Sequence, residues 1–336
     1  MQRNLNIEFL RILCMLFIVI GHVSGRAGVD FFYGLNLMPQ RVNCFILITG
    51  YFLLLSNFKF ERILRTLITT IFYTFFITFI FWCFDLVSTW DLLKSIFPLG
   101  PTKFNYWFIT KYLGLLFLSP FLQKFCLLIT QKEYKMLLIS LLLINSTLFA
   151  FFPFGELYGN QNSLLWMITM FLTGGYLRLY EPKFKYWSCG VLMFFLLYTG
   201  CAIYVQDIVL LQHNSLVIYV LAICTFMWVK NMKSIKISFF VNLISFIAPN
   251  TLAIYLIHEH IILRNTYIQD VFRSFMGIIP STIYLLLFGC AVILISVLID
   301  KVRVSLFDKL RISKIIFNIG KRIDPYYEGI VKKNLE

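Results

Sequence analysis

The sequence predicts an all-α fold, a polytopic integral membrane helix bundle of about ten transmembrane helices with both termini in the cytoplasm. Hydrophobic residues make up 60% of the 336 residues, against about 45–50% in soluble globular domains. Charged residues make up 14%, against about 25%. A soluble globule has too little interior for so much apolar chain. The composition therefore excludes a soluble enzyme, a disordered protein and a nucleic-acid-binding module.

Apolar runs between charged breaks define the spans, because a helix needs about 20 mostly apolar residues to cross a bilayer. Ten runs meet this condition, and the shortest are the fifth, sixth and eighth. The predicted spans are 6–24, 38–56, 66–85, 105–123, 137–153, 164–180, 187–206, 215–230, 239–262 and 279–300.

The basic residues predict the orientation of these spans. With a cytoplasmic N-terminus, 22 Lys and Arg residues fall on the inner side, five on the outer side and three within spans. Cytoplasmic loops of membrane proteins carry such an excess of positive charge. The net charge of +14 is thereby explained without a nucleic-acid partner. The first span also has a signal-peptide-like run, residues 14–23, but Glu8 and Arg11 are unusual for a leader.

Two domains follow from this pattern: a ten-helix transmembrane domain, 1–300, and a basic cytoplasmic tail, 301–336. The spacing of Lys301, Arg303 and Leu306 predicts an amphipathic segment on the anionic inner leaflet. The eight cysteines occur singly, without a Cys-x-x-Cys pair. We therefore expect small buried hydrophobes rather than disulfides or zinc ligands, and no metal site.

Ionisable residues within a span are expensive and are functional candidates by default. The first span contains Glu8, Arg11 and His22. Glu8 and Arg11 are three residues apart and can pair. Eleven residues return a helix to within about 20° of the same face, so Arg11 and His22 share a stripe about 16 Å long. The alternatives are interfacial snorkelling for the ion pair and a structural core role for His22.

The predicted orientation brings polar residues of four spans to a similar depth in the outer half of the membrane. They are His22, Arg41, Lys111, His258 and Glu259. A base, cations and a carboxylate at one depth suit acid–base chemistry on an extracytoplasmic hydroxyl. Polar residues also collect at helix ends, so coincidence is the alternative. His213 is expected in a solvated outer loop.

Two segments carry a recognisable pattern. Arg11 and His22 form an Arg-x10-His element, and residues 41–51 contain Cys44-Phe45 followed by Thr49-Gly50-Tyr51. These segments resemble the acyltransferase-3 family of integral membrane acyltransferases, whose patterns are Arg-x10-His and Phe-Phe-x-x-Ser-Gly-Tyr. Cys44 replaces the first aromatic residue, and Thr49 replaces the serine but keeps its hydroxyl.

Two later segments extend the resemblance over essentially the whole chain. Tyr106-Trp107-Phe108, with residues 119–122 (SPFL), is similar to the family's fourth-span pattern, and Tyr255-Leu256-Ile257-His258 is similar to its late Tyr-x-x-His pattern. The resemblance implies transfer of an acyl group, usually acetyl from acetyl-CoA as substrate, to a hydroxyl of an extracytoplasmic or lipid-linked glycan. It implies a multi-pass protein of a bacterial plasma membrane with no other cofactor.

The resemblance and the charge pattern together predict roles for the site residues. His22 and Arg11 are the predicted catalytic residues, with His22 as general base or transient acetyl carrier. The predicted substrate-binding residues are Glu8, Arg41, Lys111, Trp107, Tyr255, His258 and Glu259. Two rival functions stay open: a polysaccharide polymerase or flippase, and a non-catalytic subunit of a glycan-assembly complex.

Overall fold

The computed structural model describes residues 4–27, 37–146, 160–205, 211–274 and 281–332. These residues form helices, connecting turns and no strand. The helices, in chain order, are α1 (Leu5–Ala27), α2 (Arg41–Leu53), α3 (Phe60–Cys83), α4 (Thr89–Lys94), α5 (Trp107–Leu128), α6 (Gln131–Asn145), α7 (Leu164–Tyr180), α8 (Trp187–Gly200), α9 (Leu216–Asn231), α10 (Ser238–Ile247), α11 (Thr251–His258), α12 (Ile268–Ser274), α13 (Ser281–Lys309) and α14 (Ile312–Lys332).

Six segments of the described chain are long and apolar enough to cross a membrane. They are Leu5–Arg26, Phe60–Cys83, Trp107–Leu128, Trp187–Tyr204, Ser238–His258 and Ile283–Lys309. Arg41–Leu53 and Leu216–Asn231 are apolar but shorter. The prediction of a helical membrane protein is confirmed, whereas ten spans and cytoplasmic termini stay predictions. Part of the predicted span 137–153 lies outside the described residues.

Large apolar side chains cover the outer surface of the bundle. α8 exposes Leu192, Met193 and Leu196, and α3 exposes Phe76 and Ile80. Exposed apolar surface on this scale is rare on soluble monomers. Hydrocarbon chains of a bilayer would cover it at no cost, as a membrane-spanning bundle requires.

Two predicted spans differ from the helices that the structure shows. α3 begins at Phe60 rather than near residue 66. The charged residues at its start belong to the helix, whereas the prediction followed only the apolar run. The predicted ninth span, 239–262, is two helices. A 3-10 turn, Ala248–Asn250, separates them because Pro249 lacks the N–H that a continuous α-helix needs. α13 runs to Lys309, so residue 301, where the predicted tail begins, lies inside a helix; the division into domains at residue 300 stays a prediction.

The cysteine prediction is only partly right. All eight cysteines are free, and Cys14, Cys44, Cys126 and Cys224 are buried as expected. The other four are not buried: Cys201 is half-buried, and the exposed ones are Cys83, Cys189 and Cys290. Apolar sequence alone does not separate a lipid-facing position from a core position, which explains the error.

Side-chain caps fix several helix starts. The Asn4 side chain accepts the backbone N–H groups of Asn6 and Ile7, which are unsatisfied at the beginning of α1. Thr130 and Glu133 form a reciprocal capping box at the start of α6, the arrangement in which two orphan N–H groups are satisfied together. These caps define where each helix enters the bundle.

Glycines bring α2 and α7 into backbone contact. A Cβ atom at Gly50 would overlap the carbonyl oxygen of Phe171, and one at Gly174 would overlap that of Leu47. Small residues at such crossings allow membrane helices to approach closely. The crossing holds α2 firmly, and α2 in turn forms one wall of the cavity described below.

Gly50→Ala and Gly174→Ala should each lower the melting temperature of the detergent-purified protein, because overpacking costs about 1–3 kcal/mol. Gly200→Ala is the matched control, since a Cβ at Gly200 meets no atom within 4 Å. A control that melts as early as the two crossing variants would contradict this role of the crossing.

Candidate active site

The charged stripe of α1 faces a cavity of about 690 Å³. The Arg11 guanidinium donates to the Glu8 carboxylate at 3.0 Å and to the Thr251 hydroxyl, on α11, at 3.3 Å. Arg11 and His22 both line the cavity. The shared helix face that the spacing predicts for Arg11 and His22 is thus directed at one cavity.

The cavity runs between α1, α2, α5 and α11. Its other lining residues are Met15, Ile18, Val42, Phe45, Ile48, Thr49, Phe52, Leu53, Ser56, Asn57, Lys59, Arg62, Trp107, Phe108, Ile109, Tyr112, Thr251, Leu252 and Tyr255. The walls are mostly apolar and aromatic, and eight of the 21 lining residues are polar or charged. Such composition is typical of pockets that bind small organic molecules.

His22 and Lys59 belong to different ends of this cavity. A Cβ at Gly21 would lie 2.8 Å from the guanidinium of Arg41, so α2 begins beside the C-terminal part of α1, next to His22. From Arg41 to Leu53 the helix rises about 18 Å. Lys59 and Arg62 follow that far end. Lys59 and Arg62 therefore lie toward Arg11 rather than toward His22.

The His22 imidazole is held by a hydrogen-bond network from α11. Its Nδ1 atom lies 2.7 Å from Glu259 Oε1 and 3.1 Å from His258 Nε2. His258 Nδ1 lies 2.6 Å from the carbonyl oxygen of Ile254. A carbonyl only accepts, so His258 carries its proton on Nδ1, and its Nε2 is an acceptor. His22 Nδ1–H then donates to both neighbours, and neutral His22 keeps Nε2 as its unprotonated nitrogen.

Glu259 is the centre of this network. Arg26 donates to both carboxylate oxygens, at 2.7 and 3.0 Å, and Arg264 donates to Oε2 at 2.9 Å. The side chain is 6% exposed. Burial alone would raise the pKa of the Glu259 carboxyl, but hydrogen bonds from His22 and Arg26 hold it well below its usual range. The carboxylate stays ionised and fixes the imidazole.

His22, His258 and Glu259 also have the composition of a metal site, since one ligand atom from each lies within 4.8 Å of the others. The charges argue against a resident dication. Arg26 and Arg264 already bind the single carboxylate, and a metal ion would have to displace or repel these guanidinium groups. A hydrogen-bonded network fits the donor set better.

Two aromatic residues of the predicted site lie on the cavity wall. Trp107 and Tyr255 both line it. The neighbouring Tyr106 hydroxyl donates to the Leu256 carbonyl at 2.9 Å, which ties α5 to α11. The rings of Tyr106 and Tyr255 also pack together, with their centroids 5.9 Å apart.

Arg41 and Lys111 are not among the residues that line the cavity. Arg41 donates to the carbonyl oxygen of Met38 at 3.2 Å and packs on Gly21. The Lys111 ammonium lies 5.4 Å from the Trp107 ring centroid, in cation–π geometry. The substrate-binding roles of both residues stay predictions.

The expectation for His213 is wrong. The residue is half-buried, its backbone N–H donates to Gln161, and its carbonyl oxygen accepts from Asn43. Burial lowers the pKa of the imidazole to about 4. His213 therefore belongs to the packing of the interhelical loop rather than to a solvated outer surface.

Sequence reasoning missed the two arginines that bind Glu259. Arg26 and Arg264 are two of the five basic residues predicted on the outer side, and their sequence context gives them no further role. One signal was available for Arg26, which follows His22 by four residues on the same helix and so shares its face. Arg264 follows Glu259 by five residues across a non-α turn, and no regular spacing indicates that contact.

A comparison with protein families identifies the chain. The acyltransferase-3 family model, described as an acyltransferase domain, matches residues 4–301. The chain belongs to the acyltransferase-3 family. Neither curated proteins nor solved structures gave a significant match. Family membership together with the apolar helices indicates a membrane acyltransferase.

Glu259→Gln should destabilise the detergent-purified protein measurably, because it leaves two guanidinium groups without their anion. Breaking a buried pair costs about 3–5 kcal/mol, and partial exposure of both arginines reduces this. Asp91→Asn is the control, since Asp91 pairs with Lys103 at an exposed site where an ion pair contributes about 0–1 kcal/mol. Equal losses of melting temperature in the two variants would contradict a special role for Glu259.

Proposed function

We propose that this membrane acyltransferase moves an acetyl group from cytoplasmic acetyl-CoA to a hydroxyl of an extracytoplasmic glycan, such as a capsule or exopolysaccharide, in a bacterial plasma membrane. One observation carries the proposal. A single cavity is lined by His22 on one side and by Arg11, Lys59 and Arg62 toward the other. A donor with phosphates and a long thioester arm fits that polarity.

The charge distribution supports the direction of transfer. If both termini are cytoplasmic and the chain has ten spans, Lys59 and Arg62 lie on the inner side, where acetyl-CoA is found. His22 then lies toward the outer leaflet, where a glycan hydroxyl can arrive. The 22-to-five division of basic residues favours this orientation.

The phosphates of the donor would bind the cationic end. Lys and Arg form charge-assisted hydrogen bonds with phosphate oxygens. The planar fork of Arg11 can contact a phosphate or the thioester carbonyl in two places, and Glu8 and Thr251 keep that fork in position. The apolar wall between Arg11 and His22 suits the uncharged arm of the donor.

The chemistry centres on the unprotonated Nε2 of His22. In direct transfer, Nε2 accepts the proton of the acceptor hydroxyl while its oxygen bonds to the thioester carbon. The C–S bond then breaks, and the CoA thiolate leaves and takes a proton. In the two-step route, Nε2 itself bonds to the carbonyl carbon as the C–S bond breaks and the CoA thiolate leaves. The acceptor oxygen then bonds to the acetyl carbon, the C–N bond breaks, and the freed imidazole takes the hydroxyl proton and passes it to the thiolate. Glu259 stabilises the positive charge that both routes place on the ring.

Family membership favours this function over the two rivals. A polymerase or flippase and a non-catalytic subunit would both leave the acetyl ester content of the glycan independent of His22. NMR of the surface glycan, with and without the gene, measures that content directly and identifies the modified hydroxyl.

His22→Ala should lower glycan acetylation about 10²–10⁴-fold, the usual contribution of a general base, at unchanged protein abundance. Arg11→Lys keeps the charge but loses the planar fork, and it should also cause a severe loss. Cys290→Ser is a suitable control, because Cys290 is exposed on α13 away from the cavity. A His22→Ala protein that inserts normally and acetylates at the wild-type rate would refute the mechanism.

A topology map tests the proposed orientation independently of activity. Reporter fusions after residue 336 and within the loop near Lys59 should both report the cytoplasm, and a fusion near Asp91 should report the outside. A periplasmic signal from the C-terminal fusion would overturn the ten-span arrangement.

A further inference from the structure

The C-terminal helix α14 packs onto the start of α3, and onto Phe58 just before it, through Asp324, Tyr327 and Gly320. Asp324 Oδ1 accepts the backbone N–H of Phe60 at 2.7 Å. The Tyr327 ring lies 4.6 Å from the Phe58 ring centroid and 6.2 Å from that of Phe60. Gly320 permits the close approach, since a Cβ there would lie 2.9 Å from the backbone nitrogen of Glu61. These contacts fix the position of α14 against the start of α3.

Asp324 supplies the cap that α3 lacks locally. Phe60 is the first residue of α3, and its N–H has no partner within the helix. The N-cap residue is Lys59, whose side chain makes no capping hydrogen bond and, as an ammonium, has no acceptor. A carboxylate at a helix N-terminus also interacts favourably with the helix dipole. The cap of α3 therefore comes from 264 residues further along the chain.

This cap lies directly behind the cationic end of the cavity. Lys59 and Arg62, which line the cavity, are the N-cap residue and a first-turn residue of α3. Arg62 also donates to the Ser56 hydroxyl at 3.3 Å. Whatever orders the first turn of α3 consequently orders both cations.

We propose that α14 is part of the donor site, with Asp324 and Tyr327 as positioning residues that hold Lys59 and Arg62 for the phosphate groups of an acyl-CoA donor. This inference rests on the proposed function. Since His22 lies toward the other end of the cavity, loss of the α14 contacts changes donor affinity and not the chemical step.

The experiment titrates the detergent-purified full-length protein with free coenzyme A, so that no acceptor is needed. Asp324→Ala removes the capping oxygen, whereas Asp324→Asn keeps an acceptor oxygen at that place. Tyr327→Ala removes the stacked ring, whereas Tyr327→Phe keeps it. Hydrogen exchange of residues 312–327 reports in parallel whether α14 remains seated.

Asp324→Ala and Tyr327→Ala should bind coenzyme A about fivefold to tenfold more weakly, the scale of a lost helix cap, and their α14 amides should exchange faster. The KM for acetyl-CoA should rise by the same factor at unchanged kcat. Asp324→Asn and Tyr327→Phe should stay within about twofold of the wild type, since each keeps its contact.

Two results would overturn the inference while leaving the proposed function intact. One is faster exchange of α14 in both alanine variants with unchanged affinity and KM. The other is hydrogen exchange of the α14 amides that stays at the wild-type rate in both alanine variants. If instead the wild-type protein fails to bind coenzyme A, the donor itself is wrong, and the proposed function falls together with the inference.

Discussion

The hydrogen bond between His22 and Glu259 is the constraint on which the site depends. It joins α1 to the end of α11 at 2.7 Å and leaves Nε2 as the unprotonated nitrogen of neutral His22. Arg26 and Arg264 hold the Glu259 carboxylate in place, so this carboxylate is oriented before any substrate binds. Preorganised groups of this kind contribute to catalysis because they need no rearrangement during the reaction.

The fold places this hydrogen bond at one side of a long cavity. α11 runs in the same direction as α1, because Thr251 meets Arg11 and His258 meets His22. The break at Pro249 allows α11 to begin at that depth. The glycine crossing of α2 with α7 holds the opposite wall. The same packing that stabilises the bundle thus separates the cationic end from the imidazole.

The sequence predicted which of the site residues lie together where helical spacing or a common depth relates them, whereas their catalytic and binding roles stay predictions. Glu8, Arg11 and His22 share one face, and a common depth indicated His258 and Glu259. Contacts that depend on the path of the chain could not be predicted. The contact of Arg264 with Glu259 and the cap from Asp324 arise from tertiary packing, for which no local pattern exists. The break at Pro249 did have a local signal, because a proline interrupts a helix. Composition likewise gave no means of separating lipid-facing cysteines from buried ones.

The position of the proton on the His22 ring shows most directly whether the hydrogen bond to Glu259 leaves Nε2 unprotonated. The chain has only four histidines, so ¹⁵N NMR of histidine-labelled protein in lipid bilayers yields few signals, and His22→Gln identifies the relevant one. Neutral His22 should carry its proton on Nδ1, and Glu259→Gln should weaken this preference. A proton on Nε2 in the wild-type protein would contradict it, because no free base would then face the cavity.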